Sequence, residues 1–314
     1  MNIVYRNFWE GFDPNNNFLT RLLELSSTFS IPIPNIQDDE IVLLSHFPPR
    51  VSNIKTLALA FKHFLVQSLN LNRKFNDIHS VPNQIKPSVF YTGENYRVPN
   101  WAHYSMSHDL DDFNSSNIYY PYLFDHLLMA KLDQQDHLYG APINYESLLK
   151  ARKLESGHTN FACIFYGNGT PLRARLVDEM SKYGKVDVFG KATGIYIQNR
   201  SDLYKKYKYV LCPENDYFPG YVTEKMLHAY AMGSVPIYWG GLTAHQGVNH
   251  DSLLMVSPEQ KLESRIAEIA NIGDLEYKRI YEKALLLHEP NWREIIAQIL
   301  QWIASGEFGK PNVN

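Results

Sequence analysis

The amino-acid sequence predicts an α/β protein of two domains, each built around a parallel sheet. The chain has 314 residues, enough for two compact domains with buried cores. Hydrophobic residues make up 45% of it and charged residues 20%, which is typical of a globular protein. Strand-like and helix-like patterns alternate in both halves, as expected where helices cover parallel strands.

In the first half, apolar runs typical of strands alternate with segments whose apolar residues recur at helical spacing. The spacing is clearest in the predicted helix 55–71, where Leu57, Phe61 and Phe64 favour one side. The other predicted elements of this half are strands at 1–8, 39–47, 88–92 and 101–108, and a helix at 18–29.

A polar, charged segment at 125–158 predicts a linker. It places the domains at 1–140 and 150–300. Beyond it, Thr170 and Pro171 are the predicted N-cap and first position of a helix, and Gly184 is its predicted C-terminal cap. The predicted strands of the second half are 161–166, 186–189 and 209–212, and the predicted helices are 171–183, 201–207 and 292–303.

Charge and composition exclude several classes of function. The net charge is −3, from 30 basic and 33 acidic residues, which argues against a nucleic-acid partner. No apolar run approaches the roughly 18 residues that span a bilayer. The start of the chain lacks the pattern of a secretory signal, so we expect a cytoplasmic protein. Cys163 and Cys212 lie in predicted buried strands, where they act as small hydrophobic residues.

The segment 213–225 follows a predicted buried strand and precedes a predicted helix. Thr223 is the predicted N-cap of that helix, which puts Glu224 and Lys225 in its first turn. Free backbone N–H groups and the helix dipole attract anions at such a turn. A lysine is unfavourable there unless an anion is close, so a bound phosphate is one interpretation of Lys225.

Arg173 repeats this arrangement in the helix that follows the loop 166–170. For either cation alone, simple exposure to solvent is the better interpretation. Both in one domain favour a shared anion, and a diphosphate fits. The sequence contains neither a Walker-type phosphate loop nor the glycine motif of dinucleotide-binding domains.

Glu94 comes directly after the predicted strand 88–92, beside a tight turn at Gly93. A carboxylate at the carboxyl end of a strand, facing a cleft between domains, could accept a proton from an attacking hydroxyl. On spacing alone, capping of the turn explains the same position equally well.

Candidate metal ligands are few. Asp109 and Asp111 resemble the paired aspartates by which some transferases hold a metal, but a turn is the more common reason for such a cluster. The sequence has no paired histidine or cysteine motif. We therefore expect no metal and no bound cofactor.

Three blocks of sequence resemble the α-1,3/4-fucosyltransferase family, and the resemblance extends over roughly residues 1–300. The opening strand also resembles bacterial members. The blocks are 90–95 (Phe-Tyr-Thr-Gly-Glu-Asn), 221–225 (Tyr-Val-Thr-Glu-Lys, preceded by Glu214-Asn215) and 235–241 (Val-Pro-Ile-Tyr-Trp-Gly-Gly).

This resemblance implies the GT-B architecture, in which two Rossmann-like domains face each other across a cleft. It implies an inverting transferase that uses GDP-fucose without an essential metal. Glu94 would be the general base, and Arg173 and Lys225 would balance the charge on the leaving GDP. Asn215, Tyr221 and Glu224 would complete the donor-binding set.

The implied acceptor is a glycan, with fucose added in α-1,3 or α-1,4 linkage, as to O3 of N-acetylglucosamine or glucose in a bacterial lipopolysaccharide. A lipid-linked acceptor would bring the chain to the inner membrane as a peripheral protein. Two alternatives stay open: a transferase with another nucleotide-sugar donor, and a non-catalytic relative that binds nucleotides or glycans.

Overall fold

The structure is a computed structural model that describes residues 2–6, 12–31, 40–45, 88–99, 102, 104–110, 117–134, 142–154, 157–191, 193–197 and 199–304. The chain divides into two compact units: unit 1 is Met1–Tyr120 with Asn291–Asn314, and unit 2 is Pro121–Pro290. The domain ranges 1–140 and 150–300 stay a prediction. The predicted helix at 55–71 lies outside the described residues.

Unit 1 contains a parallel sheet whose described strands run in chain order, β1-β2-β3-β4-β5. The predicted strands and the predicted helices at 18–29 and 292–303 are confirmed within a few residues wherever the structure describes them. The elements are β1 (Asn2–Arg6), α1 (Phe18–Thr28), β2 (Glu40–Ser45), β3 (Ser88–Tyr91), β4 (Tyr104–Ser107), β5 (Asn117–Tyr119) and α9 (Trp292–Ala304).

Aromatic packing holds α1 on the sheet of unit 1. Phe18 stacks on Tyr91 of β3 with ring centroids 3.9 Å apart, and it also contacts Tyr120 at 5.9 Å. All three side chains are buried. The last helix belongs to this unit as well, because Trp302 of α9 contacts Tyr104 of β4 at 4.7 Å. The chain therefore returns to unit 1 at its end.

Unit 2 contains a second parallel sheet and the other α-helices that the structure describes. Its strands are β6 (Asn160–Phe165), β7 (Val186–Phe189), β8 (Tyr207–Pro213), β9 (Val235–Trp239) and β10 (Leu254–Val256). Its helices are α2 (Tyr122–Lys131), α3 (Tyr145–Leu148), α4 (Pro171–Ser181), α5 (Ser201–Tyr204), α6 (Lys225–Ala231), α7 (Leu262–Ala270) and α8 (Asp274–Tyr281).

The strand order of unit 2 is β10-β9-β8-β6-β7, and every pairing is parallel. The chain moves from β6 to β7 in one direction and then returns to place β8 on the other side of β6. The loops after β6 and β8 therefore lead away from each other. This leaves a crevice at the carboxyl ends of these two strands, where open α/β sheets bind their ligands.

The core of unit 2 lies between the sheet and the helices α4 and α7. Leu176 and Met180 of α4, with Ile266 and Ile269 of α7, are buried against the strands. Thr170 caps α4 as predicted, because its hydroxyl accepts a hydrogen bond from the amide of Arg173 at 3.3 Å. The packing of the core thus fixes the first turn of α4, which contains Arg173.

The sequence predictions for the segment 125–158 and for Gly184 are wrong. The segment 125–158, predicted to be a linker, contains α2 and α3, and Asp125 and His126 of α2 are buried. Gly184 is not a left-handed helix cap. A Cβ at this position would lie 2.4 Å from the Phe161 ring, so glycine is required there for close packing.

Arg152 ties three elements of unit 2 together. Its guanidinium lies 3.8 Å from the ring centroids of both Tyr230 and Tyr281. It donates to the carbonyl oxygens of Tyr281 at 2.7 Å, of Ser234 at 2.8 Å, and of Tyr230. Burial lowers the pKa of Arg152, and the surrounding tyrosines oppose this effect. Only a planar guanidinium can fill such a slot and reach three acceptors.

We expect Arg152→Lys to lower the free energy of unfolding by roughly 2–4 kcal/mol, because an ammonium cannot keep these hydrogen bonds and stack between the rings. Urea unfolding followed by circular dichroism measures the loss. Arg175→Lys is the control, since Arg175 is exposed and pairs with Glu263 on the surface; its effect should stay within about 0.5 kcal/mol. Equal stability of the two variants would contradict the assignment.

Candidate functional site

The candidate site of unit 2 lies at the carboxyl ends of β6 and β8. Arg173, in the first turn of α4, follows β6, and Asn215 follows β8. The Arg173 Nη2 donates to Asn215 Oδ1 at 2.7 Å, which joins the two loops across the crevice. Two of the predicted donor-binding residues are therefore in direct contact at the point where the strand order reverses.

Arg173 is held by its own loop as well. Its Nη1 donates to the carbonyl oxygen of Asn168 at 2.6 Å, and the guanidinium carbon lies 5.6 Å from the ring centroid of Tyr166. The residue is only 5% exposed. The alternative that Arg173 is a tolerated surface cation is therefore wrong.

A second cation is held beside this contact by Glu214, the residue before Asn215. The Lys225 Nζ donates to Glu214 Oε2 at 2.7 Å and to the hydroxyl oxygen of Thr223 at 2.7 Å. The Glu214 side chain is fully excluded from solvent, and that of Lys225 is 22% exposed. Because Glu214 and Asn215 are consecutive, they bring Lys225 and Arg173 to one region of the unit.

The remaining hydrogen bonds to Glu214 come from neutral groups. Its Oε1 accepts from the Thr223 amide at 2.7 Å and from the Tyr238 hydroxyl at 3.1 Å. The Thr223 hydroxyl lies 3.0 Å from Oε1 and 2.8 Å from Oε2. Sequence reasoning used Glu214 only as part of a family motif. The signal for its importance was a charged residue directly after a strand as apolar as β8.

The sequence predicted Thr223 as the N-cap of α6, and this prediction is wrong. The helix begins at Lys225, with Glu224 at the N-cap position and no capping hydrogen bond from its side chain. The Thr223 hydroxyl serves Glu214 instead. The sequence predicted an anion close to Lys225. In the structure, the buried Glu214 carboxylate of the same unit is such an anion.

Glu224 and Tyr221, the other two predicted donor-binding residues, flank this network. Burial alone would raise the pKa of the half-buried Glu224, but the positive charge of Lys225 and the nearby His126 hold it below its ordinary value. Glu224 therefore keeps its negative charge at neutral pH. Tyr221 is buried, and its amide donates to the Phe218 carbonyl oxygen at 3.0 Å.

Two glycines let the loop 214–221 pack against the end of β9. A Cβ at Gly241 would lie 1.7 Å from the Phe218 carbonyl oxygen, and a Cβ at Gly240 would lie 2.7 Å from Glu214 Cγ. The Gly220 amide also donates to the Gly241 carbonyl oxygen at 2.7 Å. The Gly-Gly pair of the third family block thus permits the close approach that shapes the site.

Two buried histidines, which the sequence analysis did not single out, contact each other in unit 2. The rings of His126 of α2 and His228 of α6 pack edge to face, with centroids 4.9 Å apart. Burial lowers the pKa of His228 strongly, and His126, Arg200 and Lys225 lower it further. His228 is therefore neutral at physiological pH and adds no charge to the region.

Glu94 belongs to unit 1 and follows β3, as predicted. Its backbone is held by Thr92, whose hydroxyl accepts from the Glu94 amide at 3.1 Å and donates to the Glu94 carbonyl oxygen at 3.0 Å. The Glu94 carbonyl oxygen also accepts from the Tyr96 amide at 2.7 Å. The turn is therefore capped by Thr92, and the Glu94 carboxylate is half-buried. That it faces the cations of unit 2 stays a prediction.

The loop after β3 is joined to the end of β4 by Arg97. Its guanidinium contacts the carboxylate of Asp109 and the imidazole of His108, and it donates to Asn95 Oδ1 at 2.8 Å. Burial, followed by the charge of Arg97, lowers the pKa of His108 to about 3. Asp109 therefore acts as a partner of arginine, which favours the turn interpretation of its acidic cluster; Asp111 lies outside the described residues.

In the part of the chain that the structure describes, no group of three or more histidine, cysteine or acidic side chains is arranged to hold a metal ion. Among the same residues, no helix has the length and apolar character needed to cross a membrane.

Comparison with known proteins finds a family match over the part of the chain that contains the candidate site. Residues 156–274, which contain every predicted donor-binding residue, match the family model described as glycosyltransferase family 10 (fucosyltransferase) C-term. An α-(1,3)-fucosyltransferase of Helicobacter pylori is 28% identical over 193 residues, which cover 54% of this chain and 40% of that protein. The chain spans 34% to 40% of the length of the first curated relatives that it matches.

Two crystal structures of α1,3-fucosyltransferase resemble the whole chain. The first has a TM-score of 0.66 at 20% identity and covers 99% of this chain and 93% of its own. The second, described as containing GDP-fucose, has a TM-score of 0.63 at 20% identity and covers 99% and 91%. These matches confirm the predicted fold class, GT-B. The family match is confined to residues 156–274, so it shows that this part of unit 2 resembles the C-terminal part of the family 10 fucosyltransferases.

Proposed function

We propose that the chain is a fucosyltransferase that moves L-fucose from GDP-fucose to a hydroxyl group of a glycan, with inversion at the anomeric carbon. The observation that carries the proposal is the hydrogen bond between Arg173 and Asn215 at the crevice of unit 2. The crystal structure described with GDP-fucose and the fucosyltransferase name of the family supply the donor.

The charges of this crevice suit a nucleoside diphosphate. Arg173 can bind phosphate oxygens through two parallel N–H groups, whereas Lys225 acts as a point charge. Their positions on either side of the Glu214–Asn215 pair suit two adjacent phosphates. As the bond to fucose breaks, negative charge grows on the leaving diphosphate, and fixed cations stabilise it without a metal.

Glu94 is the proposed general base. It accepts the proton of the acceptor hydroxyl while that oxygen forms a bond to the anomeric carbon of fucose and GDP leaves with the electrons of the broken bond. The acceptor attacks from the face opposite the diphosphate, which inverts the anomeric carbon. The Arg97 contacts to Asn95 and Asp109 support the loop that carries Glu94.

The acceptor, by family resemblance, is a sugar such as N-acetylglucosamine or glucose within a glycan, linked α-1,3 or α-1,4. A lipopolysaccharide precursor would place the reaction at a membrane surface. Asn215, Tyr221 and Glu224 are proposed to bind the nucleotide, with Glu224 on the ribose hydroxyls, because its lowered pKa keeps it a hydrogen-bond acceptor.

The donor is tested with a panel of nucleotide sugars and a glycan acceptor. We expect GDP release to be fastest with GDP-fucose, compared with GDP-mannose, UDP-glucose and UDP-N-acetylglucosamine. Released nucleotide is measured by chromatography, and the fucosylated product by mass spectrometry. Faster turnover of a UDP-sugar would show that the chain uses a different donor, and the absence of product with every donor would favour a binding protein.

Glu94→Gln should reduce fucose transfer about 100-fold or more while GDP binds as before, because the amide keeps the shape of the side chain but cannot take the proton. Initial rates and calorimetric titration with GDP separate these effects. Glu146→Gln, at an exposed carboxylate of α3, is the control for loss of one charge. A decrease of less than about threefold in Glu94→Gln would remove Glu94 from the role of base.

Arg173→Ala and Lys225→Met should each weaken GDP binding about tenfold or more, since each removes a charged hydrogen-bond donor from the diphosphate. Isothermal titration calorimetry measures the Kd. Arg175→Ala is the matched control: it lies on the same helix, two residues further on, but its side chain is exposed and pairs with Glu263. Unchanged GDP affinity in both Arg173→Ala and Lys225→Met would disprove the diphosphate site.

A further inference from the structure

In the described part of unit 2, Glu214 is a fully buried, hydrogen-bonded carboxylate that the proposed reaction does not use. Both of its oxygens accept hydrogen bonds, from the Thr223 amide and hydroxyl, the Tyr238 hydroxyl and the Lys225 ammonium. Its side chain has no exposure to solvent. A carboxylate so removed from water is strongly unfavourable unless charge and hydrogen bonds compensate it.

Stability alone is a weak reason to keep such a pair. Replacing a buried ion pair with well-packed apolar residues is often neutral or stabilising, so its presence points to a requirement beyond folding. The pair is also asymmetric: Glu214 is fully buried, whereas the Lys225 side chain reaches solvent at 22% exposure. Glu214 therefore lies inside the unit, and the Lys225 side chain stays accessible from solvent.

Hydrogen bonds define the orientation of the Lys225 ammonium. Two of the N–H bonds of the ammonium are directed by Glu214 Oε2 and the Thr223 hydroxyl oxygen, both 2.7 Å away. Thr223 in turn contacts Glu214, which closes a triangle of three side chains. A lysine normally loses side-chain conformational entropy when it binds a ligand in one conformation. Here the orientation exists before the ligand arrives.

We propose that Glu214 is a positioning residue that fixes the Lys225 ammonium in the orientation in which it stabilises the leaving diphosphate. This inference rests on the proposed function. Because Asn215 follows directly and binds Arg173, the same short segment aligns both cations. Cations that are oriented in advance lower the barrier without reorganisation during the reaction.

A consequence follows for binding and turnover. The negative charge of Glu214 weakens the attraction of Lys225 for a phosphate, while the fixed orientation favours the transition state. In Glu214→Gln, a donor NH₂ group can face the ammonium, which displaces Lys225 from its position. We expect kcat to fall about tenfold or more, whereas the Kd of GDP changes less than about threefold, because the lost orientation and the removed negative charge oppose each other.

A double-mutant cycle tests whether Glu214 acts through Lys225. Glu214→Gln, Lys225→Met and the double variant are compared by kcat with GDP-fucose and by GDP titration, with thermal unfolding as a measure of folding. If Glu214 positions Lys225, the double variant is no slower than Lys225→Met within about twofold. Effects that multiply would overturn the inference, since a purely structural Glu214 would act independently of Lys225. Glu263→Gln, at an exposed carboxylate, is the control for loss of charge.

The outcomes separate this inference from the proposed function. If Lys225→Met transfers fucose and binds GDP like the wild type, the proposed role of Lys225 is wrong and the positioning role of Glu214 is wrong with it. If Lys225→Met is slow and Glu214→Gln is not, only the positioning role is wrong.

Should Glu214→Gln fail to fold, Thr223 provides the same test. Thr223→Val removes the hydroxyl that joins Glu214 to Lys225, and Thr223→Ser keeps it. We expect Thr223→Val to lower kcat severalfold in the wild-type background but to have no further effect in Lys225→Met, and we expect Thr223→Ser to restore most of the lost rate. Equal rates for Thr223→Val and Thr223→Ser would overturn the inference.

Discussion

The carboxylate of Glu214 is buried at the end of β8, and the local structure around it follows from the need to compensate its charge. The Glu214 carboxylate accepts hydrogen bonds from the Lys225 ammonium, from the Thr223 hydroxyl and amide, and from the Tyr238 hydroxyl. These groups lie in the loop before α6, at the start of α6 and in β9. A buried charge that lost any of these partners would be costly, so the start of α6 and the end of β9 are held in place together. The same requirement orients the Lys225 ammonium.

The second constraint is the strand order of unit 2. Because β7 and β8 lie on opposite sides of β6, the loops after β6 and β8 diverge and leave their polar groups to meet at the crevice. The hydrogen bond from Arg173 to Asn215 spans this crevice. Gly241 lets the loop after β8 come within contact of β9, where any side chain would collide with the Phe218 carbonyl oxygen. Topology therefore decides where the site lies, and hydrogen bonds decide which side chains face it.

Sequence reasoning succeeded where local signals agree with the fold. Helix α4 has a threonine cap followed by proline, and the strands 161–166 and 186–189 are short apolar runs between turns; the structure has all three. It failed where tertiary packing outweighs composition. The charged residues of 125–158 suggested a linker, yet α2 buries Asp125 and His126 against its neighbours. It also misread Thr223 as a helix cap, because the competing acceptor, Glu214, is nine residues away in the chain and adjacent only in the fold.

The sequence by itself determined the α/β class and the resemblance to a family, and it predicted a set of candidate residues, because these depend on periodicity and on short motifs whose members are close along the chain. It did not determine which partner each charge takes. That Arg173 is buried against Asn215, and that Lys225 finds its anion in Glu214, was decided only by the tertiary structure. The physical reason is that the energy of a charge depends on its solvent exposure and on neighbours a few ångströms away, and both are set by how the strands are ordered in the sheet.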